Sequence, residues 1–296
     1  MRVLVVGATG YIGSAVTDRL VQEGHEVVAL LRSARPVPAG VSVRLADLEE
    51  PASVSPWLAA DVDAVVHAGA PTGDWDVDLA SVRSLLRGLC GRDRTFVYLS
   101  GTWVLGRSPL AGGVRTVLDE FSRPRPISLI AGRERVEEEV VGAVGCRGVV
   151  IRPGLVHGAG GGIPSLLVEW ARRHQTGRFV SAGNPVVWPL VHVDDLSDVV
   201  CRVLGAGRSG QLVHAIGEPA VDVVAIAAAA DLAAGGVGRA EPWPVHSASR
   251  TLGSAFAEAL TTSQHVIGLE ASALGWRPTR VGVVDDLRHG SYAVSS

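Results

Sequence analysis

The chain contains no lysine. All 27 of its basic residues are arginines, and its three tyrosines, Tyr11, Tyr98 and Tyr292, are scattered along the sequence. No step of its chemistry can therefore rest on a lysine ammonium. Cysteine is scarce as well. Cys90, Cys146 and Cys201 are single and widely spaced, with no C-x-x-C pair, which fits reduced thiols in core positions. No H-E-x-x-H, Cys/His cluster or carboxylate cluster has metal-ligand spacing, so no metal is expected. No apolar run reaches the roughly 20 residues of a membrane span. Met1 leads directly into "RVLVVG", which leaves no room for a signal peptide, and a cytoplasmic protein without a membrane partner is expected. A formal charge of -3 argues against nucleic acid.

What is present is a core-rich globular composition, 47% hydrophobic and 19% charged over 296 residues. Apolar strand patterns at 2–7, 25–32, 41–47, 63–70, 95–101, 147–154 and 211–217 alternate with stretches of helical spacing at 14–24, 52–60, 77–90 and 129–144. This alternation predicts an α/β fold with a doubly wound parallel sheet of the Rossmann type. After Pro153 the regularity breaks into a glycine-rich loop and Trp/Pro turns. Residues 1–155 and 186–218 are assigned to the nucleotide-binding domain. Residues 156–185 and 219–296 are assigned to a small C-terminal substrate lobe.

The first strand runs into "GATGYIG", with Gly7, Gly10 and Gly13 ahead of a helix. Gly7 permits the tight turn, Gly10 lets the backbone approach a pyrophosphate, and Gly13 lets helix and strand pack closely. With Thr9, Tyr11 and Ile12 they form the expected phosphate cradle at a helix N-terminus. The second strand ends in Arg32, Ser33 and Arg35, where a site for NAD commonly offers an acid to the ribose. A guanidinium pairs bidentately with a 2'-phosphate, so NADP(H) is expected. The same arginines would also suit a plainly solvated loop. Asp47 and Leu48 follow the third strand and are placed beside the adenine. Ala68, Gly69 and Ala70, after the fourth, run along the ribose and pyrophosphate.

In this order and spacing, "GATGYIG", "ADL", "HAGA", "VYLSGTWVLG", "IRPGLVHG", "PLVHVDDLSDVV" and "LGWRP" resemble the extended short-chain dehydrogenases/reductases over nearly the whole chain. The resemblance implies a dinucleotide across the strand ends, its nicotinamide near Ser100, Pro153 and Leu155. It also implies a Tyr as proton donor and a Lys four residues later. With Glu137 aligned to the acid that commonly follows the Lys, these places hold Leu129 and Arg133.

Ser100 and Thr102 are the candidates for orienting a substrate carbonyl, or else they satisfy the cofactor and local backbone. Arg133 either reaches the nicotinamide ribose or pairs with glutamates on its helix. It stays charged and is a poor proton donor. His157 is a minor candidate for an acid near the nicotinamide, and His192 is expected to make an orienting hydrogen bond. Trp103, Trp188 and Trp243 either line a wall for a flat ligand or pack in the core.

The pattern of absences resembles atypical ketoreductases of the angucyclinone type. It implies NADPH-dependent reduction of a ketone on an aromatic polyketide, with the substrate supplying what the Tyr/Lys pair would. The expected partner is thus a small polycyclic ketone. Two readings stay open beside this one: a non-enzymatic NADP-sensing protein, and a non-redox cyclase or isomerase on the same fold.

Overall fold

Seven parallel strands carry the site, and each comes from one of the apolar runs in the sequence. In the computed structural model, which describes residues 1–91 and 93–293, the elements of the main layer follow in strand-helix alternation. They begin with β1 (Arg2–Val6), α1 (Tyr11–Gln22), β2 (Glu26–Leu31), β3 (Ser42–Leu45), β4 (Ala64–His67), α2 (Trp75–Leu89) and β5 (Thr95–Leu99). A small hairpin, β6 (Leu110–Ala111) and β7 (Val114–Arg115), precedes α3 (Arg133–Val141) and β8 (Arg147–Pro153). The chain continues through β9 (Leu155–His157), α4 (Gly162–His174), β10 (Gly177–Ser181), β11 (Val187–His192), α5 (Val193–Ala206) and β12 (Gln211–Ala215).

The sheet order is β12-β8-β5-β4-β1-β2-β3, with every neighbouring pair parallel. Chain direction across the sheet reverses between β1 and β4, where open α/β sheets form their ligand crevice. Apart from the exposed edge strand β3, both faces are covered, which is why the strands read as continuous apolar runs instead of alternating ones. Val3 and Val5 pack with Val16 and Leu20 of α1 and with Leu196, Val199 and Val203 of α5. Leu4 and Val6 point the other way, into the layer of Leu79, Val82 and Leu85 from α2 and Val136 from α3.

Two helical expectations are corrected. Residues 52–60 form two short 3-10 turns, Pro51–Ser53 and Pro56–Ala59, because Pro56 has no N–H to give a helix begun before it. The expected helix at 129–144 is also divided. Ser128–Ile130 is a 3-10 turn, and α3 starts only at Arg133, after Gly132 takes φ +107°. A Cβ at 132 would lie 2.4 Å from the Trp75 ring, so the break is fixed by packing as well as by backbone.

Beside the main layer, β13 (Glu218–Asp222), β11 and β9 form a three-stranded sheet, and β10 pairs with β14 (Ala240–Pro244). Around them lie α4, α6 (Val223–Ala233), α7 (Val245–Leu252), α8 (Ser254–Leu260) and α10 (Val283–His289), with α9 (Leu269–Ala273) against β12. Their common core holds Leu167, Trp170, Trp188, Leu190, Ile226, Leu260 and Leu287. The segment 186–218 divides: β11 pairs in the smaller sheet, whereas α5 and β12 belong to the main layer. The two parts are clasped by Asp195 of α5. Its carboxylate accepts from Thr279 N at 3.0 Å, Thr279 Oγ1 at 2.9 Å and Arg280 N at 3.1 Å. Among the described residues, no helix is long and apolar enough to cross a membrane.

Candidate active site

The glycine turn is built by steric necessity. Gly7 has φ +77°, and a Cβ on it would come within 2.8 Å of the Ala68 carbonyl oxygen and the Gly69 backbone. A Cβ on Gly13 would lie 2.0 Å from Gly7 O, so only glycine lets α1 begin this close to β1. Gly10 differs: its Cβ would meet Gly7 O alone, at 3.3 Å, and otherwise face open space. The first-turn N–H groups of Tyr11 and Ile12 have no partner within a helix and point where the chain emerges from the sheet. An open cradle at the positive end of a helix, which a side chain at 10 would fill, fits a pyrophosphate.

On one side of this turn lies a crevice of about 280 Å³. It gathers Gly7, Thr9, Arg32, Arg35, Asp47, Leu48, Gly69 and Ala70, eight of the residues expected from sequence. Ser33, Ala68 and Gly10 do not line it; Ala68 instead supports Gly7 from behind. Arg32 is well exposed, and its Nη1 stands 3.9 Å from Glu49 Oε1. Glu49 also lines this crevice and was missed in the sequence, where it reads as one acid among several in "ADLEE".

On the other side is a mainly apolar cavity of about 240 Å³ that brings together Tyr11, Ile12, Ser100, Thr102, Arg133, Pro153 and Leu155. Trp103, Ile130 and Ile163 complete its wall. Ile130 and Ile163 carry no sequence signal that separates them from core residues. Ser100 is held by its N–H, which donates to Ile151 O at 2.8 Å, and the turn after it by Gln264, whose Nε2 donates to Thr102 O and Gly106 O, each at 2.7 Å. The hydroxyls of Ser100 and Thr102 and the Nε of Arg133 are buried without a partner. Buried polar atoms left unpaired in the free protein are the groups that a ligand would satisfy.

Arg133 reaches this place because Glu137, one turn later, is anchored. The buried Glu137 carboxylate receives Arg152 Nε at 3.1 Å and Nη2 at 2.5 Å, which ties α3 to β8. Arg133 Nη2 then donates to Leu99 O at 2.8 Å. The alternative expectation, pairing with helix glutamates, is not what the structure contains. Leu129 sits on the separate 3-10 turn, 37% exposed, and the residue lining the cavity is its neighbour Ile130.

The chain's phenols are engaged elsewhere. Tyr98 lies buried under the Arg133 guanidinium, 5.6 Å from its ring centre. Tyr11 borders the cavity, but its hydroxyl donates to Gly158 O at 2.8 Å, and burial followed by the nearby Tyr292 raises its pKa. His157 does not line the cavity. It is buried 3.5 Å from Asp286 and edge-on to His192, and burial, with His192 beside it, pushes its pKa down to about 4. A ring that is neutral and turned into the smaller sheet is no acid for the nicotinamide end, which corrects that candidate. His192 makes its orienting bond by accepting Asp194 N at Nδ1, 3.2 Å, as the N-cap of α5. Of the three tryptophans only Trp103 meets the cavity; Trp188 is core, and Trp243 packs edge-on against Trp170.

A glycine turn at the sheet's reversal point, flanked by a crevice of about 280 Å³ and by an apolar cavity at the end of β5, fits a nicotinamide-dependent oxidoreductase of the extended short-chain dehydrogenase/reductase type. The chain belongs to the NAD dependent epimerase/dehydratase family, whose profile matches residues 3–217. It is 28% identical to the uncharacterized protein C2A9.02 of Schizosaccharomyces pombe, over 99% of this chain and 100% of the relative. It is 30% identical to a 3-diazoavenalumate denitrifying reductase from Streptomyces sp, over 97% of this chain and 99% of the relative. The human epimerase family protein SDR39U1, solved with NADPH, superposes with a TM-score of 0.74 at 22% identity, covering 99% of this chain and 100% of that one.

Proposed function

We propose that the protein is an NADPH-dependent reductase of a ketone on an aromatic polyketide, of the simocyclinone 7-ketoreductase type, working without a Tyr/Lys pair. The observation that carries this reading is the lining of the cavity. It offers the unpartnered hydroxyls of Ser100 and Thr102, apolar walls and one guanidinium, but no lysine, histidine or carboxyl group, and the phenol at its edge, Tyr11, is engaged by Gly158 O. A substrate whose carbonyl is hydrogen-bonded to a neighbouring phenol brings its own donor. NADPH held in the cleft would supply the hydride, the substrate's phenol would protonate the new alkoxide, and solvent would restore the phenol.

In this reading the protein contributes proximity and orientation. Arg32 and Arg35 hold the 2'-phosphate, a choice supported by their place in the outer crevice and by the NADPH seen in SDR39U1. Gly7, Thr9, Gly10, Tyr11 and Ile12 hold the pyrophosphate through backbone groups. Arg133 holds the nicotinamide ribose, Pro153 and Leu155 the ring, and Ser100 and Thr102 orient the carbonyl. The smaller sheet and the C-terminal helices act as the substrate lobe.

A second reading is favoured by the 30% identity to the 3-diazoavenalumate denitrifying reductase over nearly all of both chains. Replacement of an aryl diazonium group by hydride breaks the C–N bond, forms a C–H bond and releases dinitrogen, so it also asks no proton of the protein. One experiment separates the two: the protein is incubated with NADPH and either a peri-hydroxylated aromatic ketone or an aryl diazonium compound. NADPH absorbance, product mass and gas release are then followed. Ketone reduction supports the first reading, nitrogen release the second. NADPH binding without turnover of either substrate would oppose both.

A further inference from the structure

The glycine-rich loop 158–162 borders the cavity at Gly162, and its backbone is unusual. Gly158, Gly160 and Gly162 have φ values of +102°, +69° and +72°, and Ala159 among them has φ +50°. A left-handed alanine persists only where its surroundings hold it. Here the holders are two phenols from opposite ends of the chain. Tyr11, the first residue of α1, donates to Gly158 O, and its ring stands where a side chain at 161 would go, 2.2 Å from a Cβ there. Tyr292, just past α10, accepts from Gly158 N at 2.7 Å and donates to Gly161 O at 2.6 Å. Ser291 beside it accepts from Gly160 N at 3.0 Å and is itself fixed by Asp286, whose carboxylate accepts Ser291 N at 2.8 Å.

We infer that Tyr11 and Tyr292 are positioning residues that fasten this loop as the lip of the substrate cavity, and that Tyr11 couples the lip to cofactor binding. The peptide of Gly158 is closed on both sides, its oxygen by Tyr11 and its nitrogen by Tyr292. The backbone of Tyr11 belongs to the first turn of α1, where a pyrophosphate is held by N–H groups. Fixing that turn fixes the ring above it, and with the ring the Gly158 carbonyl. The lip is thus firmest with cofactor bound, and a ketone is expected to bind more tightly to the cofactor-bound protein than to the free one. Burial raises the pKa of both phenols, so neither loses its proton in the working pH range. The coupling rests on reading the crevice and the cavity as one cofactor and substrate cleft.

Hydrogen exchange read by mass spectrometry on the full chain tests this. In the parent protein, saturating NADPH is expected to slow exchange across 157–163 by about tenfold. Tyr292→Phe is expected to speed exchange there with and without NADPH, while β1 to β5 stay protected. Tyr11→Phe keeps the backbone groups that bind NADPH but loses the NADPH-dependent gain at the lip. With a turned-over ketone, Tyr292→Phe is expected to raise KM about tenfold with kcat changed less than about threefold. A merely structural role would reduce the fraction of active enzyme and leave KM where it was. A lip as well protected in Tyr292→Phe as in the parent overturns the fastening, and a full NADPH gain in Tyr11→Phe overturns the coupling. Should Tyr292→Phe misfold, exchange at the lip of Tyr11→Phe without NADPH tests the fastening, because that variant also frees Gly158 O; should Tyr11→Phe misfold, the parent's gain with NADPH tests the coupling. Exchange involves no ketone and decides the matter even for another substrate. Failure to bind NADPH at all would overturn the coupling and the cofactor reading together, whereas binding with no gain at the lip would overturn the coupling alone.

Discussion

Arg133 donates from Nη2 to the carbonyl oxygen of Leu99 at 2.8 Å, joining the first residue of α3 to the last of β5. The bond holds a permanent cation at the inner end of the cleft, with Nε still unpaired. Such a group can bind ribose hydroxyls and shape local electrostatics, and its charge helps burial push the pKa of nearby His67 down to about 4. Arg133→Met is therefore expected to weaken NADPH binding about tenfold or more, the range of one hydrogen bond to a charged group. Arg133→Lys should restore part of the loss. Cofactor titration by fluorescence checks both, and an unchanged Kd in Arg133→Met would remove Arg133 from the cofactor site.

Arg32 is 63% exposed and only loosely opposed by Glu49, so it is free to take a phosphate. NADPH is expected to bind at least about tenfold better than NADH, since one charge-assisted contact contributes roughly 1.5 to 3 kcal/mol. Arg32→Ala should erase most of that preference, and Glu49→Gln should slightly increase it. Equal affinity for the two cofactors in the parent protein would contradict the assignment.

Gly10 and Gly13 should fail in different ways. Gly13→Ala places a methyl 2.0 Å from Gly7 O and is expected to lower Tm, because backbone on both sides must move. At Gly10 a Cβ would meet only Gly7 O, at 3.3 Å, so Gly10→Val should keep a cooperative fold while its methyl groups fill the proposed pyrophosphate cradle. Thermal melts and NADPH titration separate the two. Normal cofactor binding by Gly10→Val would show that the loop serves another ligand.

His67 and His157 are expected to remain neutral down to about pH 5, since burial holds both near 4. The unfolded chain takes up these protons near the ordinary value of about 6.5, so their contribution to stability is complete above that pH and falls as pH drops from 6.5 toward 4. Buried Asp78 and half-buried Glu218, with carboxyl pKa values raised by burial, act in the opposite sense. The clean measurement is therefore imidazole carbon shifts by NMR, residue by residue. Titration of either ring above pH 6 would contradict its buried, neutral state.

The main sheet and the glycine turn were legible because doubly buried strands write continuous apolar runs and because Gly7 and Gly13 stand where any Cβ would collide with backbone. The expected helix at 52–60 failed on a signal that was present, Pro56. The start of α3 failed on one that was ambiguous, since Gly132 in "LIAGRERV" is compatible with a helix until Trp75 is packed against it. Contacts distant in sequence left no local mark. Asp195 meets Thr279 across 84 residues, and Tyr292 meets Gly158 across 134. His157 is a further case: the strand pattern ends at 154 and leaves it at the head of the glycine-rich loop, whereas it closes β9 with its ring toward Asp286.

The central claim is that the substrate, not a side chain, handles the proton. Ser100→Ala and Thr102→Val should each cost less than the roughly 10²- to 10⁴-fold typical of losing a general acid. The most direct measurement compares single-turnover reduction of a peri-hydroxylated aromatic ketone with that of its O-methyl ether, with binding of both determined separately. The expected result is that the bound ether is reduced at least about a hundredfold more slowly, because it has no proton for the developing alkoxide. Reduction of the bound ether at the rate of the free phenol would contradict the mechanism and return the search to a donor within the protein or ordered water.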